Sequence, residues 1–471
     1  MRRASLVALA VGVALALGGC GESEDAAPTA RSQWSVFEDH DSLVREGEAT
    51  REQMLDELRG LGVDTLRIGI KWNEAAPRPL ARTRPRFDAT DPEDYPGFAN
   101  YDDLLERAAD KGFRVVAYLA PDTPRWATAG RQRVTGESVN TRPDPREFGD
   151  FAEAVARRYS GKVEWFSIWN EPNHVLFLKP QRESPRIYRQ LVAAAVPRIR
   201  EHATEAKVMV GETAPVGKPG TTIGPAEFMR RWLCLDENFD RALVDRTCAS
   251  FTRLDVDGFA HHPYGPTERV PAKKDIVSLL VIRRLGRYLD RAARAGRMPL
   301  DLPIYNTEFG LQSNPPDPTV STTLARQAAL INEKEELSYR YPRLRSYSQY
   351  LMHDDPPREG DDVRAIWSGF QTGLRFTDGR RKPAWAAFRL PIVVHTRGSR
   401  VLVWGRVRPG EGTRTVRLEL RRRGTWTAAR SLETDDAGYF EIRLPRAQRY
   451  RYRAFAGDRP LGTSRTATPI D

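Results

Sequence analysis

The sequence predicts a (β/α)8 barrel, the TIM-barrel fold, over residues 33–391, followed by a small all-β, immunoglobulin-like sandwich over residues 392–471. From Gln33 to about Leu390, short β-branched or aromatic runs alternate with amphipathic stretches, the pattern of βα units on a parallel sheet. Eight such runs in about 360 residues suit a closed barrel of this class. An open doubly wound sheet competes, but no G-x-G-x-x-G follows the first run. After Pro391 the period changes to strand-like alternation, in Val401-Leu402-Val403, in Val416, Leu418 and Leu420, in Phe440, Ile442 and Leu444, and in Tyr450, Tyr452 and Ala454.

The eight barrel strands are expected at Trp34–Phe37, Thr65–Trp72, Arg114–Ala120, Val163–Trp169, Lys207–Gly211, Val256–His261, Ile304–Thr307 and Ser346–Met352. Between them, Thr50 and Gln53 form a capping box ahead of Met54, Leu55, Leu58 and Leu61 at helical spacing. Phe148, Phe151, Ala152, Val155, Ala156 and Tyr159 make one apolar stripe, and Ser184-Pro185 caps and opens the next helix. In the tail, Asp435-Asp436-Ala437-Gly438 has turn chemistry between two strands. That tail is either a carbohydrate- or wall-binding module using Trp404, Trp426 and its arginines, or a spacer or packing domain. As a binding module it is separable, and a cut after Pro391 leaves the barrel working.

With 40% apolar and 29% charged residues, the chain is neither collagen-like, disordered nor a polytopic membrane protein. Its formal charge of +11 is unevenly placed: residues 392–471 hold 17 Arg against 8 Asp and Glu, Arg2 and Arg3 add two charges, and residues 21–391 sum to zero. The barrel therefore has no electrostatic reason to bind nucleic acid.

Residues 1–20 read as an export signal, with Arg2 and Arg3 before an apolar run from Leu6 to Leu17 that is too short to span a hydrocarbon core of about 30 Å. The Leu17-Gly18-Gly19-Cys20 that follows resembles the bacterial lipobox, which implies lipidation of Cys20 after cleavage. Residues 21–32 then form a flexible tether, and the protein is lipid-anchored on the outer face of the cytoplasmic membrane or cell envelope. In that oxidising setting the two remaining thiols, Cys234 and Cys248, are expected to pair, with buried free thiols the alternative.

Active sites of βα barrels lie at the carboxyl ends of the strands. The fourth strand ends Trp169-Asn170-Glu171-Pro172-Asn173 and the seventh ends Asn306-Thr307-Glu308-Phe309-Gly310, so two glutamates converge on one cavity. Glycosidic hydrolysis needs such a pair, one to protonate the leaving oxygen and one to attack or to activate water. The His261-His262 pair suggests zinc, but neighbouring strand residues face opposite ways, so no metal is expected.

These segments resemble the glycoside hydrolases of clan A, the retaining "4/7" barrels, and in general shape families 5 and 39. Arg67, Pro124-Arg125-Trp126, His261-His262-Pro263-Tyr264 and Lys382-Pro383-Ala384-Trp385 also match. The resemblance implies a retaining glycosidase with Glu308 as nucleophile and Glu171 as acid/base. Arg67 then holds Glu308 ionised, and Asn170 donates to the sugar 2-hydroxyl. Tyr264 donates to Glu308, and His262 modulates the acid/base or contacts sugar; core roles explain these two equally well. Trp126 either stacks on a pyranose or packs internally. Where the family supplies a Trp platform on strand eight, this chain has Tyr347-Ser348-Gln349-Tyr350, and Tyr350 is the substrate contact there.

The expected partners are an oligo- or polysaccharide substrate and, through the anchor, the membrane. No cofactor is expected, and the protein is expected to be a monomer. A transglycosylase with the same residues and a catalytically silent carbohydrate-binding lipoprotein are the alternatives.

Overall fold

The computed structural model describes residues 33–128, 140–265, 270 and 275–471. The signal and tether segments, with Cys20, lie outside the described residues. Eight parallel strands form the barrel: β1 Trp34–Glu38, β2 Thr65–Lys71, β3 Arg114–Ala120, β4 Trp165–Ile168, β5 Lys207–Thr213, β6 Gly258–His261, β7 Ile304–Asn306 and β8 Ser346–Tyr350. Their order is β7-β6-β5-β4-β3-β2-β1-β8, and the ring is drawn shut where Arg345 donates to the Ile304 carbonyl at 2.8 Å and Ile304 to that of Arg343 at 2.9 Å. The main helices outside it are α1 Glu48–Gly60, α2 Ala99–Asp110, α3 Pro145–Tyr159, α4 Ser184–His202, α5 Pro225–Trp232, α6 Arg283–Arg294, α7 Leu324–Tyr339 and α8 Pro383–Arg389.

Strand residues alternate between two cores. Phe37, Ile68, Ile70, Val208 and Val210 belong to the large outer core against the helices. Val116, Trp165, Met209, Ala260 and Tyr305 pack together with Trp34 as a separate plug inside the barrel. The expected strands are all present, but β1 and β5 run further than their apolar patterns, to Glu38 and Thr213. Helix α1 starts at Glu48 with Gly47 before it, so Thr50 lies inside the helix rather than capping it. Helix α4 begins at Ser184, with Glu183 rather than Ser184 as its N-cap.

The tail folds as two antiparallel sheets. One contains β9 Ile392–Arg397, β10 Arg400–Arg406 and β13 Tyr439–Pro445; the other contains β11 Thr415–Arg422, β12 Thr425–Glu433, β14 Arg449–Ala456 and β15 Arg459–Thr463. Val401, Val403, Val416, Leu418, Tyr450 and Tyr452 are buried between them. Trp404 is not an outward sugar platform: it is fully buried, packed on Tyr339 of α7 and on Tyr439 at centroid distances of 5.6 and 6.0 Å. Trp426 is half-buried beneath Arg451, 4.1 Å from its ring. Cys234 and Cys248 form a disulfide with a Cα–Cα distance of 5.7 Å.

Helix α7 lies between barrel and sandwich, which explains why polar residues are buried on it. Glu335, fully buried, takes both Arg408 Nη atoms at 3.0 and 2.5 Å, and Arg406 stands 3.5 Å away. Arg408 also donates to the Phe388 carbonyl at 2.6 Å. At Gly62, where φ is +72°, a Cβ would meet the Arg408 side chain at 2.6 Å, so glycine both turns the chain after α1 and admits this arginine. A cut after Pro391 would leave Glu335 without these cations. Breaking a buried ion pair by removing one partner costs about 3–5 kcal/mol. Arg408→Ala should accordingly lower the unfolding free energy by about that much, while Arg408→Met with Glu335→Leu should recover most of it. Chemical denaturation of both variants measures this, and a change under about 0.5 kcal/mol in Arg408→Ala would contradict it.

Candidate active site

The barrel mouth is organised around Arg67, which points inward from β2 and is 1% exposed. Gly69, two residues on, leaves room for the Tyr118 ring, because a Cβ there would lie 2.5 Å from it. Tyr118 packs on the Arg67 guanidinium at 3.9 Å and donates its hydroxyl to Glu38 at 2.9 Å. Arg67 Nη1 donates to Glu38 Oε2 and, at 3.1 Å, to Glu308 Oε2. Its Nη2 donates to Asn170 Oδ1 at 2.7 Å and to Glu212 Oε2 at 3.1 Å.

Backbone irregularity aims several of these groups. After β4, Trp169 and Glu171 have φ of 70° and 37°, a region that costs non-glycine residues about 1–3 kcal/mol. The first turns Trp169 out into the outer core against Phe148, and Asn170 and Glu171 face the mouth. On β5 the register to β6 shifts between Gly211 and Thr213, with φ of 110° at Gly211 and 44° at Glu212. That bulge turns Glu212 inward, although strict alternation from the inward Met209 would send it out. Asn173 holds the β4 and β5 loops together, donating to the carbonyls of Ala214 and Ile223 at 2.9 and 2.8 Å.

Glu171 and Glu308 meet at His262. Its Nδ1 is 3.0 Å from Glu171 Oε1 and 3.6 Å from Glu308 Oε2, and its Nε2 is 2.7 Å from Glu212 Oε2. Tyr264 donates to Glu308 Oε1 at 2.9 Å. Tyr350, edge-on to Phe370 at 4.9 Å, borders a cavity of about 730 Å³ that also touches Asp39, His40, Lys71 and Asp355. Arg67, Asn170, Glu171, His262, Tyr264 and Glu308 are thus in one network, with Tyr350 at its edge. Trp126 stands apart. It is 9% exposed, its indole N–H is on the Pro77 carbonyl at 3.2 Å, and Trp72 and Phe87 abut its ring, so it packs rather than offering a face to a pyranose. His261 faces away, bonded to Thr213 Oγ1 and the Val277 carbonyl at 2.8 and 2.7 Å, and burial lowers it to about 3. Among the described residues no His, Cys, Asp and Glu group could hold a metal ion.

Glu38 and Glu212, with Tyr118, Ser167 and Thr307, are site residues beyond those the sequence suggested. The available signal was a carboxylate directly following an apolar strand, as in Val36-Phe37-Glu38 and Val210-Gly211-Glu212.

The charges are unequal in consequence. Burial would raise Glu212, but Arg67, His262 and Ser167 outweigh it and hold the carboxyl at about 2. Burial would lower His262, but Glu308, Glu171 and Glu212 hold it up at about 10. Burial pushes Glu308 up to about 7, assisted by Glu38 and Glu171 and opposed by His262 and Arg67. The expectation that Arg67 keeps Glu308 fully ionised at neutral pH therefore needs correction, because this one cation is shared among three carboxylates. Together the groups can attack, donate and accept protons at one point.

The family profile for cellulase, glycosyl hydrolase family 5, matches residues 23–339. No curated protein matches the chain in sequence. Among solved structures, it is similar to a hyperthermophilic beta-glucosidase from Pyrococcus furiosus at 16% identity, covering 72% of this chain and 82% of that one with a TM-score of 0.44. It is similar to a GH10 endoxylanase from a sugarcane soil metagenome at 12% identity, covering 76% and 96% with a TM-score of 0.46. For a family 1 beta-glucosidase from Thermotoga maritima the values are 12%, 74%, 94% and 0.44.

A stability test follows from the raised Glu308. Ionising it in the folded state costs free energy; the cost is absent below the ordinary value of 4.5, grows with pH, and is complete above about 7. Glu308→Gln should therefore be more stable than the parent at pH 8, by on the order of 1–3 kcal/mol, and not at pH 4. Urea denaturation at the two pH values reads this directly, and an equal difference at both would refute it.

Proposed function

The chain belongs to glycosyl hydrolase family 5 and is a glycosidase, and from that premise we propose that it is a retaining enzyme acting through a covalent glycosyl-enzyme on an extracellular oligo- or polysaccharide. The observation that carries this reading is the meeting of Glu171 and Glu308 at His262 Nδ1, 3.0 and 3.6 Å away. Two oxygens that close to one atom suit the ~5–5.5 Å carboxyl separation of a retaining pair better than the ~6.5–9.5 Å of an inverting one. Glu308 is the nucleophile: its carboxylate bonds to the anomeric carbon, the C1–O bond breaks with its electron pair on the glycosidic oxygen, and that oxygen takes the proton of Glu171. Water then attacks C1, gives a proton to Glu171, and releases Glu308. Tyr264 and Arg67 stabilise the Glu308 carboxylate as attacker and as leaving group. Asn170, anchored through its Oδ1 by Arg67, is placed to donate its amide to the sugar 2-hydroxyl. Tyr350 and the adjoining cavity receive the glycan.

Glu308→Ala should lose at least ~10⁴-fold in kcat on every aryl glycoside cleaved by the parent, because no other group can form the intermediate. Glu171→Ala should still react with a dinitrophenyl glycoside in the first step and stall in the second until azide is added, giving a glycosyl azide of retained configuration. Azide rescue of Glu308→Ala with inversion, and none of Glu171→Ala, would reverse the two roles.

For location, we propose export and lipidation at Cys20, supported by the short apolar run and the lipobox-like Leu17-Gly18-Gly19-Cys20. Cys20→Ala should shift the protein from the detergent to the aqueous phase or leave it unprocessed. Unchanged partition with metabolic lipid labelling would rule the anchor out.

A further inference from the structure

The steps above leave Glu212 without a part, although the barrel is built tightly around it. It is 0% exposed and accepts from four groups on different strands or the loops after them. Ser167 Oγ on β4 donates to Oε1 at 2.5 Å; Thr307 Oγ1 after β7, Arg67 Nη2 on β2 and His262 Nε2 after β6 stand at 2.8, 3.1 and 2.7 Å from Oε2. A carboxylate so surrounded by donors is acceptor only. His262 Nε2 has two neighbours, Glu212 Oε2 at 2.7 Å and Arg67 Nη2 at 3.3 Å; the closer carboxylate oxygen would repel a nitrogen lone pair, so Nε2 carries its hydrogen toward Glu212. The other ring nitrogen is under no such constraint. Nδ1 faces Glu171 at 3.0 Å, near enough for one hydrogen between them, carried by either partner.

We infer that Glu212 is a positioning residue for this reaction: by fixing Nε2–H of His262 it makes the Nδ1 of that ring and the Glu171 carboxyl a couple that holds one exchangeable proton. The inference rests on Glu171 being the acid/base, as proposed above. In the resting couple one proton is held between Nδ1 and the Glu171 carboxyl, 3.0 Å apart. In the first step it crosses to Glu171 and on to the glycosidic oxygen as the C1–O electron pair departs with that oxygen. The couple is then one proton short: a neutral imidazole presents its Nδ1 lone pair to the Glu171 carboxylate, and their repulsion favours removal of a proton from the incoming water. That proton restores the couple as the water oxygen bonds to C1 and the Glu308 oxygen leaves. One proton leaves and one returns per turnover.

The charges facing His262 from the packed elements are Arg67 on β2, Glu171 after β4, Glu212 on β5 and Glu308 after β7, with His261 beside it on β6. Of the three carboxylates, Glu212 alone stays unaltered through both steps. Its removal should therefore weaken the hold of the ring on its proton without removing nucleophile or acid.

The test compares the parent with Glu212→Gln, close in size, on a dinitrophenyl glycoside, whose departure needs no proton, and on the matching alkyl glycoside, whose departure does. Glu212→Gln should lose about 100-fold in kcat/KM on the alkyl glycoside and under about threefold on the dinitrophenyl glycoside. The alkaline limb of its pH profile should move down by about one unit. Equal losses on both substrates with an unmoved limb would mark Glu212 as structural only and overturn the inference. Glu171→Ala, run alongside, separates the two levels: if it shows no dependence on leaving group, the acid/base assignment itself fails; if it shows that dependence and Glu212→Gln does not, only the present inference fails. Should Glu212→Gln not fold, ¹⁵N shifts of His262 in the parent decide instead. Nε2 protonated from pH 5 to about 11, with Nδ1 alone changing, supports the couple, and an Nε2 that is unprotonated or changes first overturns it.

Discussion

One buried guanidinium sets the terms for the whole barrel mouth. Arg67 donates to groups from β1, β5 and the segments after β4 and β7, so five of the eight barrel segments, its own included, are tied to a single charge. An unpaired cation in such a place would be severely penalised, and its planar fork gives more than one carboxylate a directional bond. The dependence is mutual. Glu38 and Glu212 are tolerated at full burial because Arg67 is there, and Arg67 because they are.

The distribution of proton affinity over the site follows from how this cation is divided. Glu212 accepts from Arg67, His262 and two hydroxyls and is firmly ionised. Glu308 receives one long bond from Arg67 and one from Tyr264, and burial, with the like charges of Glu38 and Glu171 adding to it, pushes it up to about 7. His262 collects the remaining negative potential and becomes the second cation of the cluster. The fold thus brings together a firmly ionised carboxylate, a raised carboxyl and a protonated imidazole, the separation of roles that acid–base chemistry requires. The positive φ values at Trp169, Glu171 and Glu212 lie on the segments that deliver these groups, where strain is tolerated because many bonds fix the result.

The same chemistry recurs at the second boundary of the molecule. The tail's arginine excess suggested an outward-facing cationic surface, yet Arg406 and Arg408 turn inward to Glu335 on α7. Trp404 packs on the same helix, so apolar and ionic contacts together fasten the sandwich to the barrel. Helix α7 shows the consequence in its composition: with barrel on one side and sandwich on the other, it buries Gln327, Asn332, Lys334, Glu335 and Glu336 as well as its apolar residues.

Alternation of apolar runs with helical stretches was enough to determine the eight strands and the change to antiparallel sheets after Pro391, because burial of one face imposes a period that any sequence of the fold must show. The Asn170-Glu171 and Thr307-Glu308 pairs were legible because each stands at the carboxyl end of a barrel strand, where sites of this fold lie, in a segment that resembles the clan. What the sequence could not decide was where the pattern is broken. Glu38 and Glu212 read as the ends of strands, since a charge normally marks solvent, and only a bulge at Gly211–Glu212 and a cation from another strand make them interior. Trp126 and Trp404 read equally well as platforms or as core, since an indole suits either, and their neighbours in space decided for core. Periodicity is a local property that a chain carries along its length, whereas pairing of buried charges is settled among residues as far apart as Arg67 and Glu308, and only the closed barrel brings them together.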